Sequence, residues 1–207
     1  GGSVGEFQSP LIEGTLILFM IAAGTNFSLY YLMLNAPPAS PGEPKKRWYA
    51  RLSPLFGDPE FRGYIGILLI STVLLTTALM VNKIYPDPLN AIRHAGFTVV
   101  SITTTTGFGT EDLTGWGEFS KGLLLFLMFI GGSPGSVAGG VKVMVFAVLA
   151  MTVWSTLNGR RDTEAWGRRI PDEIVRKCAT ILALCLAIAM ISAGVLAVTE
   201  HVVQEGQ

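Results

Sequence analysis

The chain has 207 residues, 50% of them hydrophobic and only 14% charged, and its mean hydropathy of +0.49 is far above what a solvated globular surface permits. That excludes an ordinary soluble domain. Fifteen basic residues balance fifteen acidic ones, so no bulk basic field argues for nucleic acid and no acidic excess for a charged partner. Cys178 and Cys185 lie in an uncharged apolar run, where their spacing puts both on nearly the same helix face; a disulfide framework or metal site is excluded. The start, Gly-Gly-Ser, has neither Met nor a basic n-region. Residues 1–10 are therefore expected to be a leader or a non-native remnant, and the chain a piece of something longer.

In chain order, residues 11–35 predict a first transmembrane helix, because Gly14 to Asn35 carries no charge and only scattered Thr, Ser and Asn. A polar loop, 36–62, follows. The second helix, 63–82, has twenty uncharged positions, which at about 1.5 Å each give about 30 Å, the thickness of a bilayer core. Between Lys83 and Lys121 the apolar piece Ala95 to Ile102 is too short to cross and runs straight into TTTTGFG. It reads as a re-entrant segment, a pore helix at 89–103 with a return at 104–109. From Gly122 to Leu157 only Lys142 is charged, yet one straight helix of that length would be about 54 Å long and overshoot a bilayer. Its middle, GGSPGSVAGGVK, holds five glycines and a proline, the poorest helix formers, so 119–157 is a broken helix. Irregular backbone at membrane depth survives only when buried in protein or lining water; the break is expected to face a pathway. A second polar loop, 158–177, precedes the uncharged helix 178–199 and a tail, 200–207. The fold class is an all-α membrane protein built on a helix, pore loop, broken helix repeat of the potassium-channel kind.

Eleven of the fifteen basic residues fall in two loops, Lys45, Lys46, Arg47, Arg51 and Arg62 in one, and Arg160, Arg161, Arg168, Arg169, Arg176 and Lys177 in the other. Both are expected on the cytoplasmic side. The re-entrant segment then faces outward, with Asp87, Glu111, Asp112 and Glu118 near its mouth to raise local cation concentration. A potassium-selective pore replaces the ion's water shell with backbone carbonyls and threonine hydroxyls. Thr105-Thr106-Gly107-Phe108-Gly109 matches that filter pattern: hydroxyl, β-branched residue, glycine, aromatic, glycine. The glycines permit the φ values required, Phe108 is expected to pack behind the strand, and the preceding helix aims its negative C-terminal end at a cation. Alone the pentapeptide is weak; after a half-length apolar helix, between two spans and opposite the positive loops, it is a strong signal.

With these features the sequence resembles the Trk/Ktr/HKT superfamily of potassium transporters, which carry four helix, pore-loop, helix units in one chain. The resemblance rests on HAGFTVVSITTTTGFGTEDL (His94 to Leu113), FIGGSPGSVAGGVK (Phe129 to Lys142) and GTNFSLYY (Gly24 to Tyr31), while DPEFRGY (Asp58 to Tyr64) is similar to the TrkH-type branch. It implies that 11–35 is the last helix of the second unit, 63–157 the whole third unit and 178–199 the first helix of the fourth. It further implies inward potassium transport across the inner (plasma) membrane by a multi-pass protein, with potassium as substrate and no covalent cofactor. Thr104, Thr105, Thr106, Gly107 and Phe108 would form one of four filter walls, with K+ at Thr105, Thr106 and Gly107. The gate would be an intramembrane loop carrying Gly131, Gly132, Ser133, Gly135, Ser136, Gly139, Gly140 and Lys142. Pro134 and Val137 stand where small or hydroxylated residues are expected. Implied partners are the missing units, a second copy in a homodimer and a cytoplasmic nucleotide-binding regulatory subunit, with no nucleic acid. The alternatives are sodium or mixed conduction, and a non-conducting membrane assembly module.

Rival readings of single residues are blander. The glycine-rich break fails the phosphate-loop pattern, since Val141 stands where Lys is required after Gly140; close helix packing through small residues is the other reading. Lys142 either pairs within the membrane or snorkels to the cytoplasmic surface. Asn26 is expected to hydrogen-bond a neighbouring helix or the pore-loop backbone, and His94 to be a polar residue at the outer end of the pore helix. Trp116 fits an outer aromatic belt and Trp48, Trp154 and Trp166 an inner one. No Ser/His/Asp, Cys/His or paired-carboxylate arrangement suggests an enzyme, and His94 and His201 are too few for a His-based metal site.

Overall fold

The structure, a computed structural model, describes residues 3–35, 53–159, 164–165 and 168–205. Lys45, Lys46, Arg47, Trp48, Arg51, Arg160, Arg161 and Trp166 lie outside the described residues. The chain divides into two compact units, 1–144 and 145–207.

In the first unit, α1 (Pro10–Ala23) and α2 (Phe27–Leu34) are followed by the short α3 (Ser53–Gly57), then α4 (Pro59–Val81), α5 (Pro88–Thr103) and α6 (Glu118–Phe129), and the unit ends where α7 (Val143–Leu157) begins. α4 starts where Asp58 accepts the Phe61 N–H at 2.9 Å and Pro59 presets the first turn. Its buried residues Phe61, Tyr64, Leu68, Ser71, Leu75 and Leu79 recur at three- and four-residue steps along one face, while Leu69, Ile70, Val73 and Leu74 on the other are exposed. α5 starts the same way, on Asp87 and Pro88, and is the hub, packing on α1, α4 and α6. Ala91 and Ala95, both fully buried, keep it thin enough to be surrounded. At sixteen residues it is about 24 Å long, short of a bilayer crossing.

The expected single helix at 11–35 is corrected: α1 and α2 meet at 90° across Gly24–Asn26. Asn26 caps the new helix by accepting the Ser28 N–H at 2.9 Å, and its amide donates to Glu60 at the start of α4. The carbonyls freed at the end of α1 are all used. Ala22 receives the Tyr30 hydroxyl at 2.7 Å, Ala23 the Val137 N–H at 3.1 Å and Gly24 the Ser133 N–H at 3.0 Å. Ahead of α1, Val4–Phe7 forms a 3-10 turn. Trp116 is 2% exposed, so it fills the core instead of joining an exposed aromatic belt. Phe108, 42% exposed, does not brace the return strand from behind.

In the second unit, α7 continues to Leu157, Glu164–Ala165 pairs antiparallel with Arg168–Arg169, and α8 (Asp172–Glu205) runs for 34 residues. Helix thus begins within the expected loop 158–177 and continues into the expected tail. Trp154 is exposed, and Cys178 and Cys185 are free thiols. Among the described residues two helices, Pro59–Val81 and the Asp172–Thr199 part of α8, are long and apolar enough to cross a membrane, or three if α1 and α2 form one bent span.

The bend depends on the missing side chain of Gly24, where a Cβ would lie 2.3 Å from the Tyr64 hydroxyl oxygen inside a fully buried site. Gly24→Val is expected to lower stability by about 1–3 kcal/mol, read as a fall in melting temperature of the detergent-solubilised protein.

Candidate functional site

Three interruptions of regular structure meet at one place: the bend at Gly24–Asn26, the return after α5 and the loop between α6 and α7. α5 ends at Thr103, and Thr105 adopts φ +57°, a left-handed conformation rare for a β-branched residue, with Gly107 following at +79°. The reversal is fixed on Ser101. Its carbonyl accepts the N–H of Thr106 at 2.9 Å and of Gly107 at 3.4 Å, and its hydroxyl donates to the Phe108 carbonyl at 2.7 Å. Because a trans peptide points its C=O opposite to its N–H, the carbonyls of Thr105 and Thr106 are turned away from α5, toward the exposed side. Thr105, Thr106, Gly107 and Phe108 are all exposed there, whereas Thr104 is buried, its hydroxyl bonded to Val100 and to the Thr106 hydroxyl at 2.7 Å. The Phe108 carbonyl departs from the expected row, since Ser101 draws it inward.

The glycine-rich segment closes on itself at a neck. Ile130 bridges Val141 in parallel, with Gly131 N–H donating to Val141 at 2.8 Å and Val141 N–H to Phe129 at 3.0 Å. A Cβ on Gly131 would sit 1.8 Å from the Gly139 carbonyl oxygen, so the neck admits only glycine. Beyond it Ser133-Pro134-Gly135-Ser136 makes a type II turn: Pro at the second position, Gly135 at φ +67° at the third, and Ser136 N–H returning to Ser133 at 3.3 Å. Pro134 is therefore a turn residue, and Val137 uses its backbone rather than its side chain, as the donor to Ala23. The Gly135 carbonyl in turn accepts the Phe27 N–H at 3.1 Å. Gly139 N–H donates to the Thr105 hydroxyl at 2.8 Å, which itself donates to the Thr104 carbonyl. The Lys142 ammonium donates to the Ala138 carbonyl of the same loop. The hydroxyl of Ser133 and that of the neighbouring helix residue Tyr64 are buried without a hydrogen-bond partner.

On the far side of α5 from the glycine loop, His94 is 9% exposed, stacked on Tyr85 with ring centroids 5.0 Å apart and hydrogen-bonded to the Thr110 hydroxyl at 3.2 Å. Burial, and secondarily the Glu111 charge, push the Tyr85 phenol up, opposed by its hydrogen bond with Trp116; the ring stays neutral at physiological pH. Asp112 caps the next turn, and hydrogen bonds from Thr114 hold its carboxyl below the usual carboxylate range. Two features here went unread in the sequence. Glu13, just before the first apolar run, is 2% exposed and grips Arg93 of α5 with two bonds of 2.6 Å; a lone acid at the head of a membrane helix was the available signal. Gly24 is the other omission, legible only as a glycine near a capping residue, whereas Asn26 makes the expected bond to a neighbouring helix, at Glu60 of α4. No group of three or more His, Cys, Asp or Glu suited to a metal exists among the described residues.

The TrkH family model, described as "Cation transport protein", matches residues 1–201. Among curated relatives, the Trk system potassium uptake protein TrkH of Salmonella typhimurium is 36% identical over 147 residues, covering 71% of this chain and 28% of that protein. TrkH of Vibrio parahaemolyticus is 36% identical over 161 residues, covering 77% and 30%. The crystal structure of the potassium transporter TrkH from Vibrio parahaemolyticus superposes with a TM-score of 0.78 at 27% identity, covering 92% of this chain and 40% of that one. The chain thus spans about three tenths of the curated relatives it matches. A fold shared over nearly the whole chain and a family match that takes in the bend, the threonine return and the glycine loop together lead to one conclusion: this chain is a multi-pass membrane segment belonging to the TrkH family of cation transport proteins.

Proposed function

We propose that the chain supplies the third of four helix, pore-loop, helix units of a potassium uptake protein of the inner membrane. The observation that carries this reading is the pair of N–H groups of Thr106 and Gly107 folded back on Ser101, which leaves the carbonyls of Thr105 and Thr106 on an exposed edge where a cation can replace water with oxygen ligands. K+ is held at Thr105, Thr106 and Gly107; Thr104 and Phe108 complete the wall, Thr104 from behind. The remaining walls come from units outside this chain. Neighbouring units also cover the exposed Phe108.

The loop Gly131 to Lys142 is the gate. Its support is position: Gly139 touches Thr105 through a single hydrogen bond, so the loop lies directly against the inner end of the filter. Small residues let it take a second arrangement at little steric cost. The filter side faces outward and the basic loops inward. The homodimer and the cytoplasmic nucleotide-binding subunit rest on the family resemblance, and the basic loops are where such a subunit would dock.

Three outcomes test this in the complete transporter, read as potassium-limited growth and ion uptake in cells lacking their own uptake systems. Gly107→Ala puts a side chain at φ +79°, a strain of about 1–2 kcal/mol, and is expected to cut K+ uptake about tenfold; normal uptake at normal membrane levels removes the filter assignment. Deleting Ser133 to Gly139, which removes the loop's bond to Thr105, is expected to raise flux, whereas unchanged conductance in a folded deletion protein sinks the gate. Gly131→Ala, which forces the neck apart, is expected to destabilise the protein by about 1–3 kcal/mol and lower its melting temperature.

A further inference from the structure

The return strand is anchored at both ends, and only its inner anchor, on Ser101 and Gly139, belongs to the third unit's own helices and loop. Its outer end is held from the beginning of the chain. Gly5 N–H donates to the Gly109 carbonyl at 3.1 Å, and Gly109 N–H donates to the Ser3 hydroxyl at 3.0 Å. This two-bond pairing needs close backbone approach: a Cβ on Gly5 would lie 2.4 Å from the Thr110 carbonyl oxygen. A few residues on, Glu13 at the outer end of α1 binds the Arg93 guanidinium through both its Nε and Nη2. Arg93 lies on α5, next to His94, whose ring is hydrogen-bonded to Thr110 and lies 3.7 Å from a Glu111 carboxylate oxygen. The segment 3–13 therefore grips the strand twice, once directly at Gly109 and once through the helix that carries it.

We propose that Ser3, Gly5, Glu13 and Arg93 form an outer clamp of positioning residues that fixes the spacing of the filter carbonyls and so sets discrimination between K+ and the smaller Na+. The inference rests on the filter reading above. Discrimination by an oxygen cage requires that the cage not shrink around a smaller ion, and whether size or ligand field dominates, both are set by where the carbonyls are held. A strand pinned only at Ser101 has a free outer end; a strand pinned also at Gly109 does not. The ion pair is suited to this role because it is bidentate and its carboxylate is almost fully buried. Such a pair specifies one geometry more than it adds stability, and removing one partner leaves a buried charge.

The test uses the complete transporter in cells lacking other potassium uptake, with initial uptake of K+ and Na+ measured over a range of concentrations and membrane levels measured by immunoblot. Arg93→Gln and Gly5→Ala are each expected to lower the K+ over Na+ ratio about tenfold, chiefly by raising the apparent KM for K+ rather than lowering the maximal rate. The exchange Glu13→Arg with Arg93→Glu is expected to restore part of the ratio. A purely structural role would lower protein level and maximal rate together and leave the ratio unmoved. If Arg93→Gln fails to reach the membrane, Gly5→Ala and Ser3→Ala decide, since neither disturbs a charge. Wild-type ratios in both, at wild-type protein levels, overturn the clamp. Gly107→Ala run in parallel separates the two readings: impaired uptake in Gly107→Ala with unaltered clamp variants removes the clamp alone, while unaltered uptake in Gly107→Ala removes the filter and the clamp with it.

Discussion

A backbone amide or carbonyl placed where there is no water must find its partner within the protein, and this structure interrupts its backbone three times in one small region. Each interruption supplies what another lacks. The carbonyls left over at the end of α1 go to Ser133 and Val137 of the glycine loop, and the N–H left over at the start of α2 goes to Gly135 of the same loop. The Gly139 N–H goes to Thr105. The bend and the return each depend on the glycine loop, so none of the three can be made regular without orphaning groups in another, at about 1–3 kcal/mol for each group left unsatisfied. The irregularities form a single cooperative feature although they are far apart in sequence.

This mutual dependence explains the residue types. Gly24 and Gly131 sit where another atom already occupies the space a Cβ would need; they are small for reasons of approach. Gly135 and Gly107 have positive φ and are glycine for reasons of backbone conformation. Pro134 stiffens a turn that must present Gly135 to Phe27. Thr105 is the exception, a β-branched residue held in the left-handed region at a cost of about 1–3 kcal/mol. Its hydroxyl joins the loop to the return strand, a function glycine cannot perform.

How much of this the sequence disclosed follows from which signals are local. α4 and α5 were legible because uncharged length distinguishes a crossing run from a half-length one, although the Asp-Pro pairs that set their starts at Pro59 and Pro88 went unread. The break after α6 was legible because five glycines and a proline cannot be helical. The bend in α1 and α2 was not, because Gly24 and Asn26 are individually tolerable in a membrane helix and the donors that stabilise the break lie more than a hundred residues away. The Glu13–Arg93 pair spans eighty residues and leaves no periodic trace. Trp116 was misassigned to an interface because hydropathy records that a tryptophan lies near a boundary, and not which way it faces.

The neck of the glycine loop separates content from framework. Ile130 and Val141 are joined to each other by a parallel bridge, so the segment between them is an appendage whose ends are already closed. Lengthening such an excursion changes its closure entropy only logarithmically, but its Ser133, Gly135, Val137 and Gly139 backbone groups are committed to the bend and to the return strand. An added residue is therefore cheap in entropy where it falls between those four groups, and costly where it displaces one of them from its partner.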